Sequence, residues 1–157
     1  MDVNDEAPRF EPVNGCVNIT EFHETHDMVT LVKADDADDP STPNGRVQFM
    51  ISGGNEGNLF RLDGVDYNTA RVMATGSLKG LYGNYSLQIE AHDLGMPTNR
   101  AFMILDICVS DFNDNAPRFI SPKQNFTIRV PENATVGTPI LQVEAVDDDT
   151  GPNGAVR

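Results

Sequence analysis

The chain has 157 residues, with 24 Asp plus Glu against 11 Lys plus Arg, for a formal net charge of -13. That length suits one domain, or one domain and part of a second, with enough chain to bury a core. The charge excludes nucleic acid as a partner, because no basic patch is present to displace phosphate counterions, and it argues equally against an anionic membrane surface. It suits a protein that gathers cations.

In chain order, short strands are expected near 15–20 and 28–34, then at Val47, Phe49 and Ile51, where apolar residues alternate with polar ones. Further strands are expected near 59–62 and 70–74. Tyr85, Leu87, Ile89 and Ala91 alternate with Ser86, Gln88 and Glu90, the pattern of a half-buried strand, and Leu105, Ile107 and Val109 repeat it. Turn residues fill the gaps, as in Ser52-Gly53-Gly54-Asn55 and Leu94-Gly95-Met96-Pro97. No segment carries a helical period. About seven short strands in roughly 100 residues predict an all-β, seven-stranded Greek-key sandwich of immunoglobulin-like type.

The chain also repeats itself. Asp2-Val3-Asn4-Asp5-Glu6-Ala7-Pro8-Arg9-Phe10 returns as Asp111-Phe112-Asn113-Asp114-Asn115-Ala116-Pro117-Arg118-Phe119, at an offset of 109. Glu21 matches Glu132, Asp36 matches Asp147 and Asp38 matches Asp149, all at 111; Asn44-Gly45 matches Asn153-Gly154 at 109 again. A unit of this size is too long for a solenoid repeat and right for tandem β domains. The expected organisation is the end of a preceding linker at 1–9, a complete repeat at 10–110, a linker at 111–117 and the first part of another repeat at 118–157. The opening in mid-motif reads as a fragment of a longer protein. The second unit has room for two strands, so residues after about Pro117 are expected to be poorly ordered in isolation.

The acids cluster, in Asp35-Asp36-Ala37-Asp38-Asp39 and in Asp147-Asp148-Asp149. Calcium takes six to eight oxygens from carboxylates, amides and backbone carbonyls, and no short segment here supplies that many. Such a site has to be assembled from several loops. Asp-x-Asp places two carboxylates on one side of an extended segment. Asn-Gly makes a turn with accessible carbonyls. Asn113-Asp114-Asn115 ahead of Pro117 makes an extended linker of mixed amide and carboxylate oxygens.

Together, the order Glu, Asp-x-Asp, Asn-Gly, Ala-x-Asp and Asp-x-Asn-Asp-Asn-x-Pro-x-Phe resembles the cadherin repeat, over the whole of residues 10–117 and both flanks. The resemblance implies structural calcium, up to three ions between successive repeats. At the upstream junction it implies as ligands the Val3 carbonyl, Asn4, Asp5, the Glu6 carbonyl, Asp36, Asp38, the Asn44 carbonyl and Asp93. At the downstream junction it implies Glu21, the Phe112 carbonyl, Asn113, Asp114, the Asn115 carbonyl, Asp147, Asp149 and the Asn153 carbonyl. Asp35, Asp39 and Asp148 are expected to be merely solvated. One departure stands out. Where cadherin repeats carry a Leu-Asp-Arg-Glu stretch, this chain has Leu78-Lys79-Gly80-Leu81. Two carboxylates are missing there and a cation is added, so the junction at 111–117 is expected to hold one or two ions instead of three.

The resemblance further implies the extracellular part of a single-pass plasma-membrane protein at the cell surface, with calcium-dependent cell–cell adhesion or recognition as its function. Its partners would be other cadherin ectodomains, homophilic or heterophilic, and the membrane would be reached only through a segment outside these residues. The alternative is a structural spacer with no partner surface of its own. No small-molecule substrate, phosphate-binding loop or catalytic constellation is indicated. With no Trp in the chain, strand-exchange adhesion is not expected. In a cadherin-like sandwich the first and last strands are parallel neighbours, which puts Cys16 and Cys108 at one level, facing outward; a disulfide is favoured, with two free thiols as the alternative. Four glycosylation sequons begin at Asn18, Asn84, Asn125 and Asn133 and lean toward a secreted context. His23 and His26, with Glu24 and Asp27, read as a solvated loop without further zinc ligands.

Overall fold

A computed structural model describes residues 3–123 and 125–157. The chain divides into two compact units, Met1–Ser110 and Asp111–Arg157. Every described element is a strand, in agreement with the alternating pattern and the missing helical period.

In the first unit the strands are β1 (Arg9–Phe10), β2 (Val17–Thr20), β3 (Met28–Asp35), β4 (Val47–Gly53), β5 (Phe60–Gly64), β6 (Thr69–Ala74), β7 (Gly83–Asp93) and β8 (Arg100–Ser110). All seven expected strands form. The two-residue β1 is an addition that sequence alternation is too short to reveal; it exists because Arg9 and Phe10 pair antiparallel with Asp35 and Ala34. Two four-stranded sheets result, in the orders β1-β3-β6-β5 and β2-β8-β7-β4. β2 runs parallel to β8, with Val17 opposite Ile107 and Ile19 opposite Val109.

The sheets face each other through one core. Val32, Phe60, Val72 and Ala74 come from the first sheet and Leu87, Ile89, Leu105 and Ile107 from the second, all fully buried. The alternation in β7 and β8 is what aims these side chains inward, while Gln88, Ile104 and Asp106 between them point outward. Leu78, from the loop between β6 and β7, joins the same core. A disulfide links Cys16 and Cys108, with Cα atoms 5.8 Å apart, just ahead of β2 and within β8.

In the second unit β9 (Arg118–Ser121) pairs antiparallel with β10 (Glu144–Val146). All of β9 is exposed, as are Phe126, Ile128, Val130, Ile140 and Leu141. No other strand forms in this unit among the described residues.

Candidate functional site, the acidic strand ends

Register places the candidate residues of the first unit at both ends of the β2-β8-β7-β4 sheet. Val47 lies opposite Asp93 at one end, and Gly83 lies opposite Val109 at the other. With 11 residues in β7, these ends are roughly 35 Å apart.

The Asp93 end gathers the segment ahead of β1, the loop after β3 and the loop after β7. Asp36 and Asp38 follow β3 directly, and the Asp38 N–H donates to Asp36 Oδ1 at 3.0 Å. The Glu6 N–H donates to Asp38 Oδ2 at 3.4 Å, and Asn99 Nδ2 donates to the Glu6 carbonyl at 2.7 Å. Asp93 is only 1% exposed. Its carboxylate accepts the Gly95 N–H at 3.0 Å and the Asn99 N–H at 3.2 Å to each oxygen. These donors satisfy a carboxylate that burial has cut off from water.

Asn4 Nδ2 donates to the Pro97 carbonyl at 2.5 Å. Asn4 Oδ1, shut off from solvent, accepts no hydrogen bond. Gly95 packs directly on Asn4 and Asn44: a Cβ at this position would collide with the Asn4 carboxamide and lie 2.6 Å from Asn44 Oδ1. Val3, Asn4, Pro43, Asn44 and Gly95 line a hollow of about 540 Å³. Asp5 stands apart, exposed, with its N–H on the Val3 carbonyl at 3.0 Å.

The second unit repeats this wiring. The Asp149 N–H donates to Asp147 Oδ1 at 3.0 Å, as Asp38 does to Asp36. The Asn115 N–H donates to Asp149 Oδ2 at 3.2 Å, as Glu6 does to Asp38. Asn115 Nδ2 also bonds both Asp149 Oδ1 and Asp114 Oδ1. Gly154 lies against the Asp149 carbonyl as Gly45 lies against that of Asp38, an approach too close for any Cβ. Asn153 Nδ2 donates to Asp111 Oδ2 at 3.3 Å and the Thr150 N–H to the same oxygen at 3.0 Å. Phe112 and Asn113 are exposed. The sequence-level repeat is therefore a repeat of hydrogen bonds.

Glu21 lies at the opposite end of the first unit from Asp38 and Asp93. Its N–H donates to the Ser110 carbonyl at 3.0 Å, continuing the β2–β8 pairing. Its buried carboxylate accepts the Gly80 N–H at 2.6 Å. Gly80 has φ +76°, a left-handed conformation that glycine reaches without strain and that turns its N–H toward Glu21. Lys79 Nζ sits 5.2 Å from the centre of the Phe22 ring. The loop that replaces the expected acids thus supplies a backbone donor and a cation in their place.

Among the described residues, no three His, Cys, Asp or Glu side chains converge closely enough to hold a metal by themselves. The carboxylates at both centres stand beside amide and backbone oxygens. The three acids expected to be merely solvated are exposed, yet each has a partner: Asp35 takes Asn68 Nδ2 at 2.7 Å and Lys33 at 3.4 Å, Asp39 takes the Ser41 N–H at 2.9 Å, and Asp148 takes Arg118 at 3.1 Å. The Ser41 hydroxyl and N–H hold the Asp39 carboxyl below its ordinary range.

Sequence reasoning missed Asn99 and Asp111. Asp111 opens the repeated Asp-x-Asn-Asp motif, so the repeat itself could have flagged it; its counterpart Asp2 lies outside the described residues. Asn99 carries no such signal, because no second copy of its segment occurs in the chain.

Residues 17–110 match the Cadherin domain family. The chain belongs to the cadherin family. It is 35% identical over 157 residues to Protocadherin-16 of Rattus norvegicus, covering 99% of this chain and 4% of that protein. It is 38% identical over 162 residues to Protein dachsous of Drosophila melanogaster, covering 99% and 4%. Among solved structures, the Protocadherin GammaB4 extracellular domain superposes with a TM-score of 0.71 at 31% identity, over 98% of this chain and 23% of that one. The chain therefore spans a few per cent of the length of these cadherin relatives.

Proposed function

We propose that this chain is a calcium-binding extracellular module of a cadherin, acting in calcium-dependent adhesion or recognition between cells and having other cadherin ectodomains as partners. The observation that carries the reading is the buried Asn4 Oδ1 that accepts no hydrogen bond, beside Asn44, in the same loop cluster as Asp36, Asp38 and Asp93. An oriented amide oxygen among carboxylates and backbone carbonyls is the donor set of a hard cation such as calcium, while zinc and copper favour imidazole and thiolate. The same wiring at Asp147, Asp149 and Asn115 supports a second centre of the same kind. Asn4, Asp36, Asp38, the Asn44 carbonyl and Asp93 would hold calcium at the first, and Asn113, Asp114, Asp147, Asp149 and Asn153 at the second. The ion would neutralise clustered acids that otherwise repel one another, and so stiffen the loops that carry them. It serves structure, and the module performs no catalysis.

At the Glu21 end of the first unit the reading takes a reduced number of ions. Glu21 is already engaged by the Gly80 N–H, and Lys79 stands where the family carries an acid.

The spacer reading remains the second, because an interior repeat of a long ectodomain needs no partner surface. Analytical ultracentrifugation of the chain at millimolar calcium separates the two. Self-association that a chelator reverses is the result expected for direct adhesion. A monomer at every concentration assigns the piece to the spacer role, or to contact with a different ectodomain.

A further inference from the structure

The sheet register brings two of the four sequons onto one row. Asn18 on β2 lies opposite Cys108 on β8, and Asn84 on β7 lies opposite the same Cys108 from the other side. Register partners share a face, so Asn18, Cys108 and Asn84 all point away from the core, whose inward neighbours are Val17, Ile107 and Tyr85. Both asparagines are exposed. With strands roughly 4.8 Å apart, the two Cα atoms stand about 10 Å apart, astride the Cys16–Cys108 disulfide. Asn18 Nδ2 donates to the Cys16 carbonyl at 3.2 Å, which ties its side chain to the backbone of a residue that forms the bond. At the far end of the same face, Met50, Phe102 and Ile104 are exposed and no sequon lies near them in register.

We propose that Asn18 and Asn84 both carry N-linked oligosaccharides, and that the pair covers the disulfide end of this sheet face while leaving the Met50–Phe102–Ile104 end open. The transfer draws on a lipid-diphosphate-linked oligosaccharide. The Asn Nδ2 bonds the anomeric carbon of the sugar, the bond from that carbon to the lipid diphosphate breaks, and the amide gives up one proton. Because both sequons end up inside paired strands, the transfer precedes or accompanies the pairing of β2 and β7 with β8. Two glycans rooted about 10 Å apart on neighbouring strands would fill the space above Cys108 from both sides, so a soluble reductant would reach the sulfurs only through them. The same glycans would keep another protein from lying flat on this half of the face.

The proposal rests on the extracellular reading, but its test is separate from calcium binding. The 157-residue chain is secreted from animal cells behind a removable signal peptide. Peptide mapping after enzymatic deglycosylation then reads which Asn residues have become Asp. Conversion at both Asn18 and Asn84 is expected. Absence at either overturns the pair, while leaving the calcium reading untouched. The second measurement is the rate at which Cys16 and Cys108 become alkylated under limiting phosphine reductant. The glycosylated protein should react several-fold more slowly than Asn18→Gln/Asn84→Gln, and equal rates would overturn the shielding. If that double variant is not secreted, the enzymatically deglycosylated chain serves as the comparison.

Discussion

Asp93→Ala is expected to destabilise the first unit by about 2–4 kcal/mol even in chelator, since it leaves the buried Gly95 N–H and the half-buried Asn99 N–H without their acceptor. If Asp93 is a calcium ligand as proposed, the variant should also lose the stabilisation expected from calcium at that end. Asp93→Asn separates the two effects. An amide oxygen can still accept from these N–H groups, so in chelator the loss should be nearer about 1 kcal/mol. The variant carries no charge to offer a cation, so its response to calcium should be as poor as that of alanine. Urea denaturation with and without calcium reads both quantities. An Asp93→Asn protein that responds to calcium like the parent would remove Asp93 from the ligand set.

The second large effect is expected at the disulfide. Cys16 and Cys108 are separated by 92 positions, and a cross-link closing a loop of that order restricts the unfolded chain by about 3–5 kcal/mol. The four-residue β2 is an edge strand held only by β8 within its sheet, so it has little else to keep it in register. Cys16→Ala/Cys108→Ala should therefore lower the midpoint of urea unfolding, with β2 amides exchanging first. An unchanged midpoint would mean that the β2–β8 ladder and the packing of Val17 and Ile19 suffice without the bond.

Most of the frame was legible from the sequence because it follows from local alternation. Tyr85 to Ala91 and Leu105 to Val109 alternate cleanly, and the register pairs them as neighbours, with Tyr85 opposite Ile107 and Leu87 opposite Leu105. The acidic clusters were legible because the chain contains two copies of Asp-x-Asp and of the Asp-x-Asn-Asp motif, and the copies share hydrogen bonds as well as residues. What stayed hidden depends on tertiary neighbours. Arg9–Phe10 is a strand only because Ala34 and Asp35 lie alongside it. Asn99 has a role only because the loop after β7 folds back onto Asp93 and Glu6. Lys79-Gly80 read as a loss of acids, and nothing in the spacing foretold that the Gly80 N–H would occupy Glu21.

Calcium titration of the parent chain by calorimetry, with the melting temperature followed in parallel, bears most directly on the central claim. Saturable binding with a Kd in the range of about 10⁻⁴ to 10⁻³ M is expected, the range of extracellular calcium modules. At a hundred-fold excess over Kd a single site adds about 2.7 kcal/mol of stability, enough to raise the melting temperature by several degrees. No saturable heat, together with a melting temperature that calcium leaves unmoved, would contradict a calcium centre at the acidic strand ends.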